Sequence, residues 1–174
     1  MALLISFIGL DGSGKSTLSK WLLKILKEEF NLECRYSWVK FGTTFLGLNR
    51  IFAKKYNKKL YKKRDNPYKF LGNKLLRNLY LIYLLFEHWL QLIFSVRIPL
   101  MFGKTVVCDR YYYDSIVDLV VNFDLDYSKA KKLIKLLIGA PKPDLTIYLD
   151  VDEYTAYNRK SDIYNINYLK MKRE

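Results

Sequence analysis

Residues 9–17 read Gly9-Leu10-Asp11-Gly12-Ser13-Gly14-Lys15-Ser16-Thr17, between an apolar run at 3–8 and a stretch of helical periodicity that begins at Lys15. The pattern Gly-x-x-x-x-Gly-Lys-Ser constrains the fold more than any other feature of the chain, because it needs a strand to deliver it and a helix to receive it. Its glycines let backbone N–H groups turn inward around phosphate oxygens, and the start of the helix adds positive potential. The whole segment, Gly9 to Thr17, is therefore expected to hold a nucleoside triphosphate such as ATP. Lys15 should reach the terminal phosphates and the Ser16 hydroxyl should ligate Mg2+. The loop alone leaves open whether the triphosphate drives phosphoryl transfer, a motor or a switch.

The apolar run 3–8 suits a parallel strand covered on both faces. Leu18, Trp21, Leu22, Ile25 and Leu26 then keep a three-to-four spacing, which predicts an amphipathic helix from Lys15 to about residue 30. Further on, the pattern predicts a strand at 33–39, a long helix or two abutting helices at 68–102 closing at Pro99 and Gly103, and a strand at 104–108 with Asp109 at its carboxyl end. A helix at 126–138 and a strand at 145–149 follow. Between 41 and 67, Gly42, Gly47 and Pro67 punctuate the chain and no element is clear. Strands alternating with helices imply βαβ crossovers. The expected architecture is a three-layer α/β/α sandwich around a mostly parallel sheet, of the P-loop type, with ligands outside the carboxyl ends of the strands.

With 174 residues, 51% of them hydrophobic, one domain can bury a core without disulfides or structural metals. Cys34 and Cys108 lie in apolar, strand-like stretches and read as core thiols, which suits a reducing, cytoplasmic setting. The apolar amino terminus has no basic region and no cleavage site before the glycine-rich turn, so it reads as a strand rather than a signal peptide. The stretch 75–102 is long enough to raise a membrane question, but Arg77, Glu87, His88, Gln91 and Arg97 interrupt it. A buried helix and no transmembrane span are expected. His88, on this helix, reads as a core residue and not as a metal ligand. The formal charge of +13 suits nucleotides, nucleic acids and anionic lipids alike. Its densest cluster, 54–64, reads first as a solvated face and second as a contact to phosphate or a membrane surface.

Three further segments narrow the reading: Asp109-Arg110-Tyr111 directly after a strand, Pro143-Asp144-Leu145-Thr146-Ile147-Tyr148-Leu149-Asp150-Val151-Asp152, and Arg159-Lys160. With the leading Gly-Leu-Asp of the loop, in this order and spacing, they resemble the thymidylate kinase family of nucleoside monophosphate kinases. The resemblance implies transfer of the terminal phosphoryl group of ATP to a bound nucleotide, with dTMP the first candidate. It implies that Arg110 touches phosphates near the transfer point, that Asp109 organises magnesium through water, that Arg159 belongs to a lid, and that Asp11 meets the acceptor's sugar hydroxyl. Phe86, in Leu84-Leu85-Phe86, is placed to stack on a base or to fill the core. A homodimer through the apolar helix is implied as well, with small-molecule nucleotides as partners and no specific nucleic acid.

The chain also departs from the family's pattern. The family's Arg-Glu-Pro-Gly-like segment is replaced by Tyr36-Ser37-Trp38-Val39-Lys40-Phe41-Gly42, and no arginine follows Phe86 where the family reads the base. Asp114 stands at the family's serine, with Ser115 one step later. One kinase domain over 1–174, without the family's last strand and helix, is expected. These departures keep two other readings open: a kinase for a different phosphate-bearing acceptor, and a non-catalytic nucleotide-binding or membrane-surface adaptor.

Overall fold

The computed structural model describes residues 2–42, 74–135, 140–160 and 165–173. The segment 54–64 lies outside them, as do Gly47, Pro67 and Gly139. Among the described residues four strands form one parallel sheet: β1 (Leu4–Gly9), β2 (Cys34–Trp38), β3 (Thr105–Asp109) and β4 (Leu145–Leu149), in the order β2-β3-β1-β4. The register pairs Phe7 with Asp109 and Gly9 with Leu149, so the carboxyl ends of β1, β3 and β4 meet at one edge. All-parallel pairing requires crossovers that place helices on the faces of the sheet.

Alternation along β1 shows how the layers form. Ile5 and Phe7 face α1 (Lys15–Glu28), where they meet Val107 and the helix residues Leu22, Leu23 and Leu26. Leu4 faces the other way. There, with Val106 and Cys108, it packs against α2 (Lys74–Leu92) and α4 (Tyr112–Phe123) through Leu84, Leu85, Ile116, Leu119 and Phe123. The three-layer α/β/α sandwich of the sequence reading is thus present, with the larger core on the α2–α4 side.

Several boundaries match the sequence reading closely, and others differ for physical reasons. Between 68 and 102 the chain forms α2, then a widened π-helical turn at Ile93–Arg97, then α3 (Ile98–Met101). Pro99 does not close this helix. It lies inside a continuous helical path, where the Ser95 carbonyl four residues back accepts from the Ser37 hydroxyl at 3.0 Å in place of the N–H that proline lacks, and the widened turn before it accommodates the ring. The helix expected at 126–138 is observed as α5 (Tyr127–Leu133), and residues 136–139 are outside the described set. Two further helices, α6 (Glu153–Asn158) and α7 (Ile166–Arg173), complete the chain. Asp152 caps α6 by accepting from the Thr155 N–H at 2.9 Å. Both cysteines are free; Cys108 is fully buried, whereas Cys34 is partly exposed rather than a core residue.

The continuous stretch Lys74–Met101 is apolar and long enough to cross a membrane by length and composition alone. Three of its polar residues, however, face inward: Glu87, His88 and Gln91 are buried, and the Gln91 side-chain amide donates to the Trp38 carbonyl at 2.9 Å. His88 sits 2.8 Å from the Ser115 hydroxyl on α4, edge-on to Phe41. Burial holds its pKa at about 4, below the ordinary 6.5, although Gln91 and Asp118 pull it upward. His88 therefore stays neutral in the fold while the unfolded chain takes up a proton below about pH 6.5, so stability should fall as pH drops from 6.5 toward 4, by about 3 kcal/mol. Urea unfolding at stepped pH should show this slope in the wild type. The slope should be shallower by about one proton in His88→Asn.

Candidate active site

Three segments build the site: the turn after β1, the end of β3 and the start of α4, and the carboxyl-terminal helix α7. The turn is shaped by its glycines. Gly14 caps α1 with φ 94, and Gly12 has φ 92, both in the left-handed region. At Gly12 a Cβ would stand 2.3 Å from the Ala156 carbonyl of α6, so the loop needs glycine there for close approach as well as for conformation. Within the loop, the Ser13 N–H donates to the Leu10 carbonyl and the Thr17 N–H to the Gly14 carbonyl, each at 3.1 Å.

Lys15 is buried and its ammonium folds back onto the loop. It donates to the carbonyls of Gly9 at 2.7 Å and Leu10 at 2.5 Å, and lies 3.3 Å from the Ser13 hydroxyl. Burial lowers its pKa from 10.5 to about 8, against the pull of Asp114 and Asp109. All three of its protons rest on neutral oxygens, which an anion placed in the loop would outcompete.

At the end of β3, Asp109 is buried. One of its oxygens, Oδ2, accepts from the Ser16 hydroxyl and from the Tyr36 hydroxyl, the latter at 2.9 Å, while Oδ1 is buried without a hydrogen-bond partner. Burial, and then this bond to Asp109, push the Tyr36 pKa up, so Tyr36 remains a donor. A buried carboxylate oxygen with no partner beside a serine hydroxyl is a hard-oxygen pair that fits Mg2+, whose remaining ligands are ordinarily phosphate oxygens and water. Among the described residues no group of three or more His, Cys, Asp or Glu forms a cage that could hold a metal by protein ligands alone.

Arg110 follows with φ 73, uncommon for a residue with a side chain, and its N–H bonds the Phe7 carbonyl at 3.0 Å. Its guanidinium is buried between Asp11 Oδ1, on the loop, and Asp114 Oδ1, on α4, at 3.4 Å. Asp114 also accepts from the Tyr111 N–H at 3.3 Å, which ties it to the start of α4. Burial raises the Asp114 pKa to about 6, while Arg110 and Lys15 hold it down. Ser115, one step along the helix, turns into the core toward His88 instead.

Helix α7 contributes two cations that sequence reasoning missed. Lys172 Nζ bonds Asp118 Oδ1 of α4 at 2.5 Å and lies 3.9 Å from Asp11 Oδ2. Burial opposes its charge, but Asp118 and Tyr168 hold its pKa above the ordinary value. Arg173 pairs with Asp150 and Glu153, each at 3.1 Å. A cleft of about 140 Å³ results, lined by Asp11, Arg110, Tyr113, Asp114, Tyr148 and Lys172, among others. No periodicity marks Lys172 for the interior, since it lies in a run of basic residues.

The structure therefore brings together Asp11, Lys15, Ser16, Asp109 and Arg110. Phe86 is not among the residues lining the cleft: it is about half exposed and stacks on Trp89, with ring centroids 5.9 Å apart. Arg159 is exposed at the end of α6, three residues beyond the Ala156 that abuts Gly12.

A glycine-rich turn with a buried lysine, between a parallel strand and a helix, with an acid at the end of the adjacent strand, defines a P-loop nucleotide-binding protein. A family model described as thymidylate kinase matches residues 53–172. The chain is 30% identical over 163 residues to a thymidylate kinase of Wolbachia pipientis subsp. Culex pipiens (strain wPip), spanning 91% of this chain and 69% of that one. It is 32% identical over 157 residues to a thymidylate kinase of Plasmodium falciparum (isolate 3D7), spanning 89% and 64%. The solved thymidylate kinase of Ehrlichia chaffeensis shares the fold, with a TM-score of 0.63 at 23% identity, over 99% of this chain and 96% of that one. The chain belongs to the thymidylate kinase family.

The Lys15 geometry carries a protonic signature. Free Lys15 loses its proton around pH 8, whereas bound phosphates favour the ammonium, so ATP binding should take up a proton at about pH 9 and none at about pH 7. Calorimetry in buffers of different ionisation enthalpy measures the uptake. Lys15→Arg, whose side chain stays charged at both values, should abolish it.

Proposed function

We infer that this chain transfers the terminal phosphoryl group of ATP to a nucleoside monophosphate, converting dTMP to dTDP. The observation that carries the reading is Arg110. Strained at the end of β3 and held by Asp11 and Asp114, it lines the cleft beside the phosphate loop, where two sets of phosphates would crowd together. Such transfer asks little covalent chemistry of the protein; it needs positioning and cations around crowded phosphates.

In this reading the segment Gly9–Thr17 holds the ATP phosphates, and Lys15 exchanges its carbonyl partners for the terminal phosphates. Ser16 and Asp109 hold magnesium, Asp109 through Oδ1 or a water on it. Magnesium, when bound, supplies charge neutralisation and alignment of the phosphates. Arg110 bridges the transferred group and the acceptor phosphate, Asp11 meets the acceptor's sugar hydroxyl, and Arg159 reaches over the triphosphate from the end of α6. Base stacking by Phe86 is not supported by its position outside the cleft lining.

We further propose that the chain works as one kinase domain in the cytoplasm, without a membrane span, on small nucleotides rather than nucleic acid. The burial of Glu87, His88 and Gln91 supports a core role for α2. Its opposite face, with Leu76, Leu79, Ile82 and Phe86 exposed in one stripe, suits a homodimer contact.

Purified protein with MgATP should form ADP in a dTMP-dependent manner. Lys15→Ala and Arg110→Ala should each lower kcat/KM by about 100-fold or more. ATP binding without acceptor-dependent ADP, across a panel of nucleoside monophosphates, would overturn the reading.

A further inference from the structure

We propose that Lys172 is a specificity-determining residue of the acceptor site: with Asp11 it forms a two-sided receptor for a hydroxyl group on the acceptor's sugar, Lys172 donating to the hydroxyl oxygen and Asp11 accepting its proton. This deepens the acceptor reading above and rests on it.

The two groups are placed to share one small ligand group and not to satisfy each other. Asp11 Oδ1 is taken by Arg110, which leaves Oδ2 facing Lys172 Nζ across 3.9 Å. That separation is too long for a hydrogen bond, yet an oxygen lying about 2.8 Å from both fits within it. The ammonium has three donors, of which one is committed to Asp118 Oδ1 at 2.5 Å. Asp118 stands behind Lys172, itself buried and outside the cleft lining, whereas Lys172 and Asp11 both line the cleft.

The chemistry of the gap selects its occupant. A hydroxyl is donor and acceptor at once, so it answers a carboxylate oxygen and an ammonium together. A phosphate oxygen in the same place would be repelled by Asp11, and an apolar group would leave Asp11 Oδ2 and the free ammonium donors of Lys172 without a partner in the gap. The position of Lys172 is set by the fold. Helix α7 is anchored on one side by the fully buried Leu169, and Arg173 is tied to Asp150 and Glu153 on the other.

The test measures equilibrium binding of dTMP and of its 3′-deoxy analogue to the full chain by calorimetry, for wild type, Lys172→Met and Lys172→Arg, with ATP binding alongside. The wild type should prefer dTMP by about 10-fold or more, as expected for a hydrogen bond to charged groups. Lys172→Met should compress that ratio by about 10-fold with ATP affinity held within about twofold, and Lys172→Arg should recover part of the ratio. An unchanged ratio in Lys172→Met overturns the proposal, and so does parallel loss of ATP binding in both variants, which marks a structural role. Turnover separates the two readings: dTMP-dependent ADP formation with an unchanged ratio leaves the kinase standing and removes the hydroxyl receptor. A compressed ratio with no ADP formation does the reverse. Failure of the wild type to bind either nucleotide overturns both.

Discussion

Four carboxylates and three cations share a buried space at the carboxyl ends of β1 and β3: Asp11, Asp109, Asp114 and Asp118 with Lys15, Arg110 and Lys172. Ions out of water persist only when paired, and removing one partner of a buried pair costs about 3–5 kcal/mol because the other is left uncompensated. The cluster therefore restrains the elements that carry it. Arg110 adopts an uncommon backbone conformation because Asp11 and Asp114 hold its side chain, and α7 lies against α4 because Lys172 has Asp118 to meet. Within this group the carboxylates outnumber the cations, so the positive potential of the α1 amino terminus has to favour any anion held by the loop.

What was legible in the sequence is what local periodicity and turn chemistry determine. The glycine-rich loop sits where an apolar run gives way to a 3.6-residue pattern, and β4 was readable to its end residues because the alternation there is uninterrupted. The acid at the end of β3 was readable for the same reason: a strand of fixed length delivers Asp109 and Arg110 to the edge where the loop turns. Pro99 misled, because a widened turn absorbed a residue that usually ends a helix. Phe86 misled in another way: on an apolar helix, spacing alone does not say which face meets the sheet, and Glu87 and His88 took the inner face.

Lys172 was illegible for a further reason. Its helix has a basic, weakly amphipathic sequence, and in isolation each lysine reads as solvated charge. Only the tertiary approach of α7 to α4 gives one of them a buried carboxylate. Asp118 carries no sign of this either, since an acid on the second turn of a helix is ordinary until a cation is brought to it. The same holds for Asp114 and Ser115. One residue of offset rotates a side chain by about 100° around the helix, so Asp114 faces Arg110 and Ser115 faces His88.

Close packing links the donor and acceptor halves of the site. Gly12 admits the backbone of α6 to a distance that no side chain would allow, and Asp150 and Glu153, which flank the start of α6, hold Arg173 of α7. The loop that would hold the triphosphate and the helix that carries Lys172 thus bear on the same short element. Displacing the phosphate loop at Gly12 would push on α6, and through its acids on α7, without any contact between the two nucleotides. The two links differ in kind: the approach at Gly12 is backbone against backbone and cannot yield, whereas the pairs of Arg173 with Asp150 and Glu153 are partly exposed, so alignment of the phosphates to a fraction of an ångström would rest on the first.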